Sequence, residues 1–262
     1  MSFTDKQGLI LRRPKISKLY SVNVSGVEID VPAVYGKVSA TMSFFPASYT
    51  KVEQLIGNKR IFPMKIFPGV AILAVTVFDY MDAPVGPYRE IALSVPSTID
   101  KKIPILPLLF DSLFSNFGFY TLLLIMNTDL GIQHSKDVFG YPTFNKKVTI
   151  DIENDKSFVK INAYSAEEQI FSMKMEGFKT YHPMQDKKYN TFFANNNELH
   201  KVEMVVDAYV AERNLGAKNN EYNFGNHEIS NTYFKNLMLS DKPLKHMHYR
   251  QATEVLSQPY KI

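Results

Sequence analysis

The chain has 262 residues, of which 45% are hydrophobic and 21% are charged, so it can bury a sizeable core and a disordered class is excluded over most of its length. Its 30 lysines and arginines against 26 aspartates and glutamates give a net charge of only +4. These charges are scattered without a basic stripe, so no nucleic-acid partner is predicted. The absence of cysteine excludes disulfides, thiolate metal sites and a cysteine nucleophile.

The N-terminal segment MSFTDKQGLILRRPKISKLY carries basic residues but no apolar run long enough for a secretory signal. It predicts a solvated N-terminal arm over residues 1–25. Residues 26–262 are then predicted to form a single domain, a length that β-rich domains often reach with one core. Without a signal or cysteines, we expect a cytoplasmic protein.

Few helices are predicted. The first runs from about Ser48 to Ile56, where Thr50 and Glu53 have capping-box spacing and Gly57 occupies the position of a C-terminal cap. A second is predicted over Leu106–Phe114, where leucines and phenylalanine recur at spacings that share one helical face.

Strand-like runs dominate the rest of the chain and predict a β-rich core. They are Val70–Phe78, Ile91–Val95, Phe117–Met126, Val148–Ile152, Phe158–Tyr164 and Ile170–Met175. The fourth and fifth runs alternate apolar and polar residues on either side of a polar turn at 153–156, which predicts an antiparallel hairpin. The asparagine-rich stretches 195–197 and 214–226 predict loops.

Two further features of the sequence bear on membranes and metals. The apolar stretch Ile103–Met126 is interrupted by prolines and polar residues, so it is not predicted to span a membrane. His246 and His248 would share one face of a strand, as a metal pair does, but no third ligand has suggestive spacing. We therefore predict no metal site, and the other histidines are interpreted as ordinary polar groups.

The most informative stretches are DYMDAPVGPYREIALSVP, over residues 79–96, and GIQHSKDVFGYPTFNKK, over residues 131–147. The first resembles the Gly-x-Tyr-x-Glu strand of the acetoacetate decarboxylase family, with Gly86, Tyr88 and Glu90 at the matching positions. In that family the glutamate lies in the active site and assists proton transfer. The resemblance therefore implies a catalytic role for Glu90.

The second stretch resembles the family segment in which Tyr or Phe and Pro precede two lysines. Tyr141 and Pro142 match, but Thr143 stands where the family keeps the lysine that forms an iminium with its keto-acid substrate. A hydroxyl cannot form an iminium, so the standard decarboxylation is not expected. Among nearby lysines, Lys136 is the least unfavourable substitute. A family arginine and a second family acid would fall near Val27 and Val75, where this chain is apolar.

The resemblance implies an α+β, β-rich fold: an antiparallel, cone-like β-barrel with a second sheet and a few peripheral helices, assembled as a homo-oligomer. It also implies a pocket for a small keto acid or related carboxylate, without cofactor or metal. Tyr88, Tyr141 and Pro142 would bind the substrate, and no membrane partner is implied.

Three functions remain open from the sequence. The chain can be a divergent carbon-carbon or carbon-oxygen lyase that uses acid/base chemistry at Glu90 without an iminium. It can be a non-catalytic small-molecule binding protein on the same fold. It can also be a generic β-barrel carrier or an oligomeric structural protein that uses its 15 tyrosines and 19 phenylalanines for core and interface.

Overall fold

The computed structural model describes residues 3–4, 10–11, 17–103, 116–181, 184–196, 198–214 and 220–262. The helix predicted over Leu106–Phe114 lies outside these ranges. In chain order the strands are β1 (Phe3–Thr4), β2 (Ile10–Leu11), β3 (Tyr20–Val24), β4 (Val27–Val31), β5 (Ala33–Ser48), β6 (Ile61–Pro63), β7 (Val70–Asp82), β8 (Tyr88–Ile99), β9 (Phe117–Met126), β10 (Thr149–Asn154), β11 (Phe158–Ser165), β12 (Glu168–Glu176), β13 (Lys179–Tyr181), β14 (Met184–Asn195), β15 (Glu198–Asn214), β16 (Glu221–Phe224), β17 (Lys245–Leu256) and β18 (Tyr260–Lys261). The helical elements are α1 (Tyr49–Ile56), α2 (Asp129–Gln133) and two π-helical segments, His134–Phe139 and Ser230–Lys235.

Seven strands close into a barrel in the order β15-β14-β9-β8-β7-β5-β17, with β17 pairing back onto β15. Neighbouring strands are antiparallel except β9 and β14, which pair in parallel through Phe119 with Thr191 and Tyr120 with Phe192. A second, four-stranded sheet has the order β10-β11-β12-β16. The predicted β-rich α+β barrel fold is therefore confirmed, with one parallel junction in the barrel.

The period-2 alternation of the barrel strands separates two apolar regions. On β8, Glu90 and Ala92 face the barrel interior, whereas Ile91 and Leu93 are fully buried on its outer face. That outer face packs against apolar residues of the second sheet and of α1. The second sheet thus covers one side of the barrel and leaves the interior free to form a cavity.

The strand predictions over 70–78, 91–95 and 117–126 are confirmed as parts of β7, β8 and β9. The predicted hairpin is also confirmed, because β10 pairs with β11 in antiparallel register out to Asn154 and Val159. The loop predicted over 195–197 contains the turn between β14 and β15, where Asn196 has a positive φ of 49°.

The loop predicted over 214–226 is wrong in part, because Glu221–Phe224 forms β16 and pairs with β12. Tyr222 and Phe224 alternate with polar residues and pack on the core between the two sheets, which provides the burial that a strand needs. Because asparagines and glycines surround this short alternating run, the composition of the segment predicted a loop.

The predicted helix over 48–56 is confirmed as α1, and Gly57 ends it in the left-handed conformation with φ 61°. The predicted capping box is wrong. Strand β5 continues through Ser48, so the helix begins at Tyr49 and Thr50 lies within its first turn rather than at the cap. Glu53 instead accepts a hydrogen bond of 2.9 Å from the Tyr49 hydroxyl.

The hairpin β3–β4 straddles the end of the predicted N-terminal arm, with its turn at residues 25–26. Val24, Ile29 and Val31 are buried in the same apolar cluster as the inner barrel residues and the segment after β9. In the described ranges, no helix is long and apolar enough to cross a membrane.

Candidate functional site

The barrel interior contains a cavity of about 80 Å³, well above the space that a single water needs. Its wall is rich in aromatic rings, with side chains from the barrel strands and from the π-helical segment His134–Phe139. The aromatic lining residues are Tyr35, Phe78, Tyr80, Tyr88, Phe119, Phe139, Tyr141 and Tyr189. The acidic, imidazole and hydroxyl lining residues are Glu90, Glu254, His134, Thr76, Ser94, Thr121, Ser135 and Thr191.

Glu90 lies on β8, opposite Phe78 of β7, with only 7% of its surface exposed. Alternation sends the adjacent Arg89 outward, where it donates to Asp79 and to the Ile150 carbonyl. Among the residues that the structure describes, none hydrogen-bonds to the Glu90 carboxyl. Burial raises the pKa of Glu90 to about 8, and the neighbouring charge of Glu254 contributes to the rise.

Glu254 is a second acid on the cavity wall that the sequence reasoning missed. It lies on β17, is 2% exposed, and its Oε1 accepts a long hydrogen bond of 3.4 Å from the Tyr80 hydroxyl. Burial raises the pKa of Glu254 to about 8 as well. The available signal was a single acidic residue within the apolar strand run ATEVL, where burial forces a charge to be paired or neutral.

Tyrosine rings form a cluster beside these two acids. Tyr80 lies with its ring centroid 4.7 Å from those of both Tyr35 and Tyr88, and it stacks on Phe78 at 5.2 Å. Burial holds the pKa of each of the three hydroxyls well above its ordinary value. The hydroxyls therefore stay protonated and are able to donate hydrogen bonds.

Of the three predicted substrate-binding residues, Tyr88 and Tyr141 line the cavity and Pro142 does not. Gly140 has a φ of 79°, and this left-handed turn ends the π-helical segment and directs Tyr141 inward. The Pro142 carbonyl instead accepts a hydrogen bond of 2.8 Å from the Leu124 amide. This bond fixes the segment against β9.

His134 lines the cavity and is 1% exposed. Its Nε2 lies 2.8 Å from the Tyr35 hydroxyl, while its buried Nδ1 has no hydrogen-bond partner in the described part of the chain. Burial lowers the pKa of His134 to about 4, so the ring is neutral at neutral pH. No sequence pattern predicted this placement, since His134 belongs to no spacing motif.

Thr143, which the sequence resemblance aligns with the family lysine, lies one side chain behind the cavity wall. Its hydroxyl is 2.9 Å from the hydroxyl of Ser135, which does line the cavity, and it donates to the Tyr141 carbonyl at 3.0 Å. Backbone pairing with Leu124 of β9 holds Thr143 in this place. The residue thus supports the wall and supplies no amine to the interior.

Lys136 does not line the cavity, and its Nζ donates a hydrogen bond to Asn145. Lys147 forms an exposed ion pair with Asp129 at 2.9 Å. Of the residues that the structure describes, no lysine or arginine lines the cavity.

His246 and His248 share one face of β17, as predicted, and each is held by neighbouring protein groups. His246 bonds to Ser43 at 2.7 Å, and His248 bonds to Thr41 at 2.9 Å. No cluster of three or more possible metal ligands is found among the described residues.

The interior therefore combines two carboxyl groups, each with a pKa of about 8, and tyrosine hydroxyls that can donate hydrogen bonds, in an apolar wall. The charge of Glu254 raises the pKa of Glu90, so the two carboxyls are coupled, and one can be protonated while the other is ionised. An ionised carboxylate there can accept a proton from a ligand, while a neutral carboxyl and a tyrosine can donate to a developing negative charge.

Comparison with protein-family models gives no match, and neither does comparison with curated proteins. Solved structures do match. An acetoacetate decarboxylase superposes with a TM-score of 0.64 at 9% identity, covering 88% of this chain and 89% of that one. The enzyme from Legionella pneumophila gives 0.64 at 12% identity, covering 88% and 87%. The enduracididine biosynthesis enzyme MppR, complexed with pyruvate, gives 0.55 at 7% identity, covering 88% and 90%. The chain therefore has the acetoacetate decarboxylase fold.

Proposed function

We propose that this protein is an enzyme that moves a proton at the carbon next to a carbonyl group, without forming an iminium. The observation that carries this proposal is the pair of buried carboxyls, Glu90 and Glu254, facing one apolar cavity with raised pKa values. A pKa near the working pH is what a general acid or base needs.

In the proposed reaction, ionised Glu90 removes a proton from the carbon beside the carbonyl of a bound ligand. The electrons move onto the carbonyl oxygen and form an enolate. Protonated Glu254 and a tyrosine of the cluster at Tyr35, Tyr80 and Tyr88 stabilise that oxygen by donating hydrogen bonds. Return of the proton to the same carbon gives hydrogen exchange, and its delivery to a different carbon completes an isomerase reaction. In a lyase reaction the enolate electrons form a carbon-carbon double bond, and a leaving group on the carbon β to the carbonyl departs with the electron pair of its bond.

The neighbours with the same fold support a carbonyl substrate. One is acetoacetate decarboxylase, and another is complexed with pyruvate. Decarboxylation through an iminium requires an amine, which Thr143 does not offer. Proton transfer does not require one. Glu90, Glu254 and the tyrosines supply the base and the donors that proton transfer requires.

The direct test is hydrogen exchange. The protein is incubated in D₂O with acetone, pyruvate or pyruvamide, and loss of the methyl proton signal is followed by NMR. We expect exchange above the buffer rate for at least one compound, with loss in Glu90→Gln. Glu203→Gln is the matched control, because that carboxyl is on the surface and pairs with Lys201.

A parallel incubation with borohydride and mass measurement tests the absence of an iminium, and no lysine adduct is expected. A trapped adduct would show that a lysine enters the cavity. If none of the three compounds exchanges, the non-catalytic binding protein becomes the better description.

A further inference from the structure

The charge of the cavity wall is unusual for a site that would receive a keto acid. The wall contains two acids, and the described residues contribute no lysine or arginine to it. The titratable groups facing Glu90 from the surrounding elements are Tyr35, Tyr80, Tyr88, His134, Tyr141, Tyr189 and Glu254. None of these carries a positive charge at neutral pH, since His134 is buried in its neutral form.

We infer that the cavity selects an uncharged carbonyl compound, such as a ketone, an aldehyde or an amide-bearing ketone, over the anion of a keto acid. This inference deepens the proposed function and rests on Glu90 acting as the base. It replaces the keto-acid ligand that the family resemblance implies.

The first reason is desolvation. A ligand carboxylate that enters an apolar cavity loses its water, and this loss is compensated only by a nearby cation or by several strong hydrogen bonds. The tyrosine hydroxyls can donate, but they carry no positive charge. A neutral carbonyl needs only one or two of these donors and loses far less hydration.

The second reason is that the working state of the base excludes an anion. Glu90 must be ionised to accept a proton, and its carboxyl has no hydrogen-bond partner in the described residues to disperse that charge. A ligand carboxylate in the same small cavity would face this charge directly, and Coulomb repulsion is strong where water is excluded. An anionic ligand would thus force Glu90 to take up a proton and become inactive as a base.

The test uses two pairs of nearly equal shape, pyruvate with pyruvamide and acetoacetate with acetoacetamide. Dissociation constants are measured by ligand-observed NMR titration at about pH 6 and about pH 9, on either side of the carboxyl pKa values of about 8. At the higher pH we expect each amide to bind at least about tenfold more tightly than its acid. At the lower pH the ratio of the two dissociation constants, acid to amide, should be smaller, because the carboxyls of Glu90 and Glu254 are then protonated.

Glu254→Gln separates charge from shape. At the higher pH it should tighten the binding of pyruvate several-fold relative to that of pyruvamide, because only the anion is repelled. Glu203→Gln removes a carboxyl outside the cavity and should change neither ligand. Equal or tighter binding of the acids at the higher pH would overturn the inference, as would the absence of amide binding at tens of millimolar.

These outcomes are distinct from failure of the proposed function. A preference for amides without hydrogen exchange would remove the proposed catalysis and retain the charge preference. Hydrogen exchange with the acids as the preferred ligands would retain the catalysis and remove the preference.

Discussion

Substitution of Glu254 by Gln should make the protein more stable at alkaline pH, although it removes a charged residue. The carboxyl of Glu254 is 2% exposed, and its pKa rises from the ordinary 4.5 to about 8. Below pH 4.5 the carboxyl is protonated in both the folded and the unfolded chain. As pH rises from 4.5 to 8, the unfolded chain releases this proton while the folded chain keeps it, so stability falls. Above pH 8 the carboxyl is ionised in both states and stability falls no further on account of Glu254.

The size of the effect follows from the same two values. The difference between 4.5 and about 8 corresponds to roughly 5 kcal/mol, at about 1.4 kcal/mol per pKa unit. Because Glu90 and Glu254 titrate as a pair, we expect the substitution to recover about 3–5 kcal/mol at about pH 9. With a urea dependence of about 3 kcal/mol per molar, the midpoint of unfolding would rise by about 1–1.7 M.

The assay is urea unfolding of the wild type and Glu254→Gln at about pH 5, 7 and 9, followed by circular dichroism. The difference between the proteins is the informative quantity, because the buried histidines contribute equally to both. The two midpoints should coincide at the lowest pH and separate as pH rises. Glu203→Gln is the control, since its half-exposed ion pair contributes under about 1 kcal/mol and is ionised across this range. Parallel curves for wild type and Glu254→Gln would refute the raised pKa and the argument built on it.

Further predictions concern the base, the barrel and the polar groups around it. Glu90→Gln should reduce hydrogen exchange by about 10²-fold or more, measured as the initial NMR rate. Lys136→Ala should leave that rate unchanged, because Lys136 does not line the cavity. Gly118→Ala should cost at least about 2 kcal/mol in urea unfolding, since a Cβ would lie 2.3 Å from the Asn190 carbonyl at the β9–β14 junction. Burial lowers the pKa of His248 to about 3, so the contribution of this residue to stability should fall as pH drops below about 6.5. The difference in unfolding free energy between the wild type and His248→Gln should therefore shift in favour of the variant as pH is lowered.

The strands were predictable where their own residues alternate or form continuous apolar runs, as in the hairpin of β10 and β11. The closure of the barrel was not predictable in this way. It depends on the pairing of β15 with β17 and on the short parallel contact of β9 with β14, both of which join segments distant in sequence. No local periodicity encodes such a pairing, so only the family resemblance pointed to a barrel.

The candidate site, like the fold, was predictable only in part from the sequence. Glu90 was identifiable because Gly86 and Tyr88 precede it at fixed spacing, and the structure places it on the cavity wall. Glu254 was not identifiable as a partner of Glu90, because nothing in the sequence of β17 indicates that the inner face of this strand lies across the interior from β8. Lys136 and Pro142 do not line the cavity, because closeness in sequence to Thr143 does not by itself bring a side chain to the interior.

The raised pKa of Glu90 has an electrostatic cause that the described cavity wall does not offset. An ammonium near a buried carboxyl stabilises its ionised form and lowers its pKa. In this cavity no described cation does so, and burial together with a second carboxyl acts in the opposite direction. The cavity of this chain therefore holds two carboxyls, each with a pKa of about 8, that can gain and lose protons near neutral pH. Such groups suit the proposed acid/base chemistry and the proposed preference for an uncharged ligand.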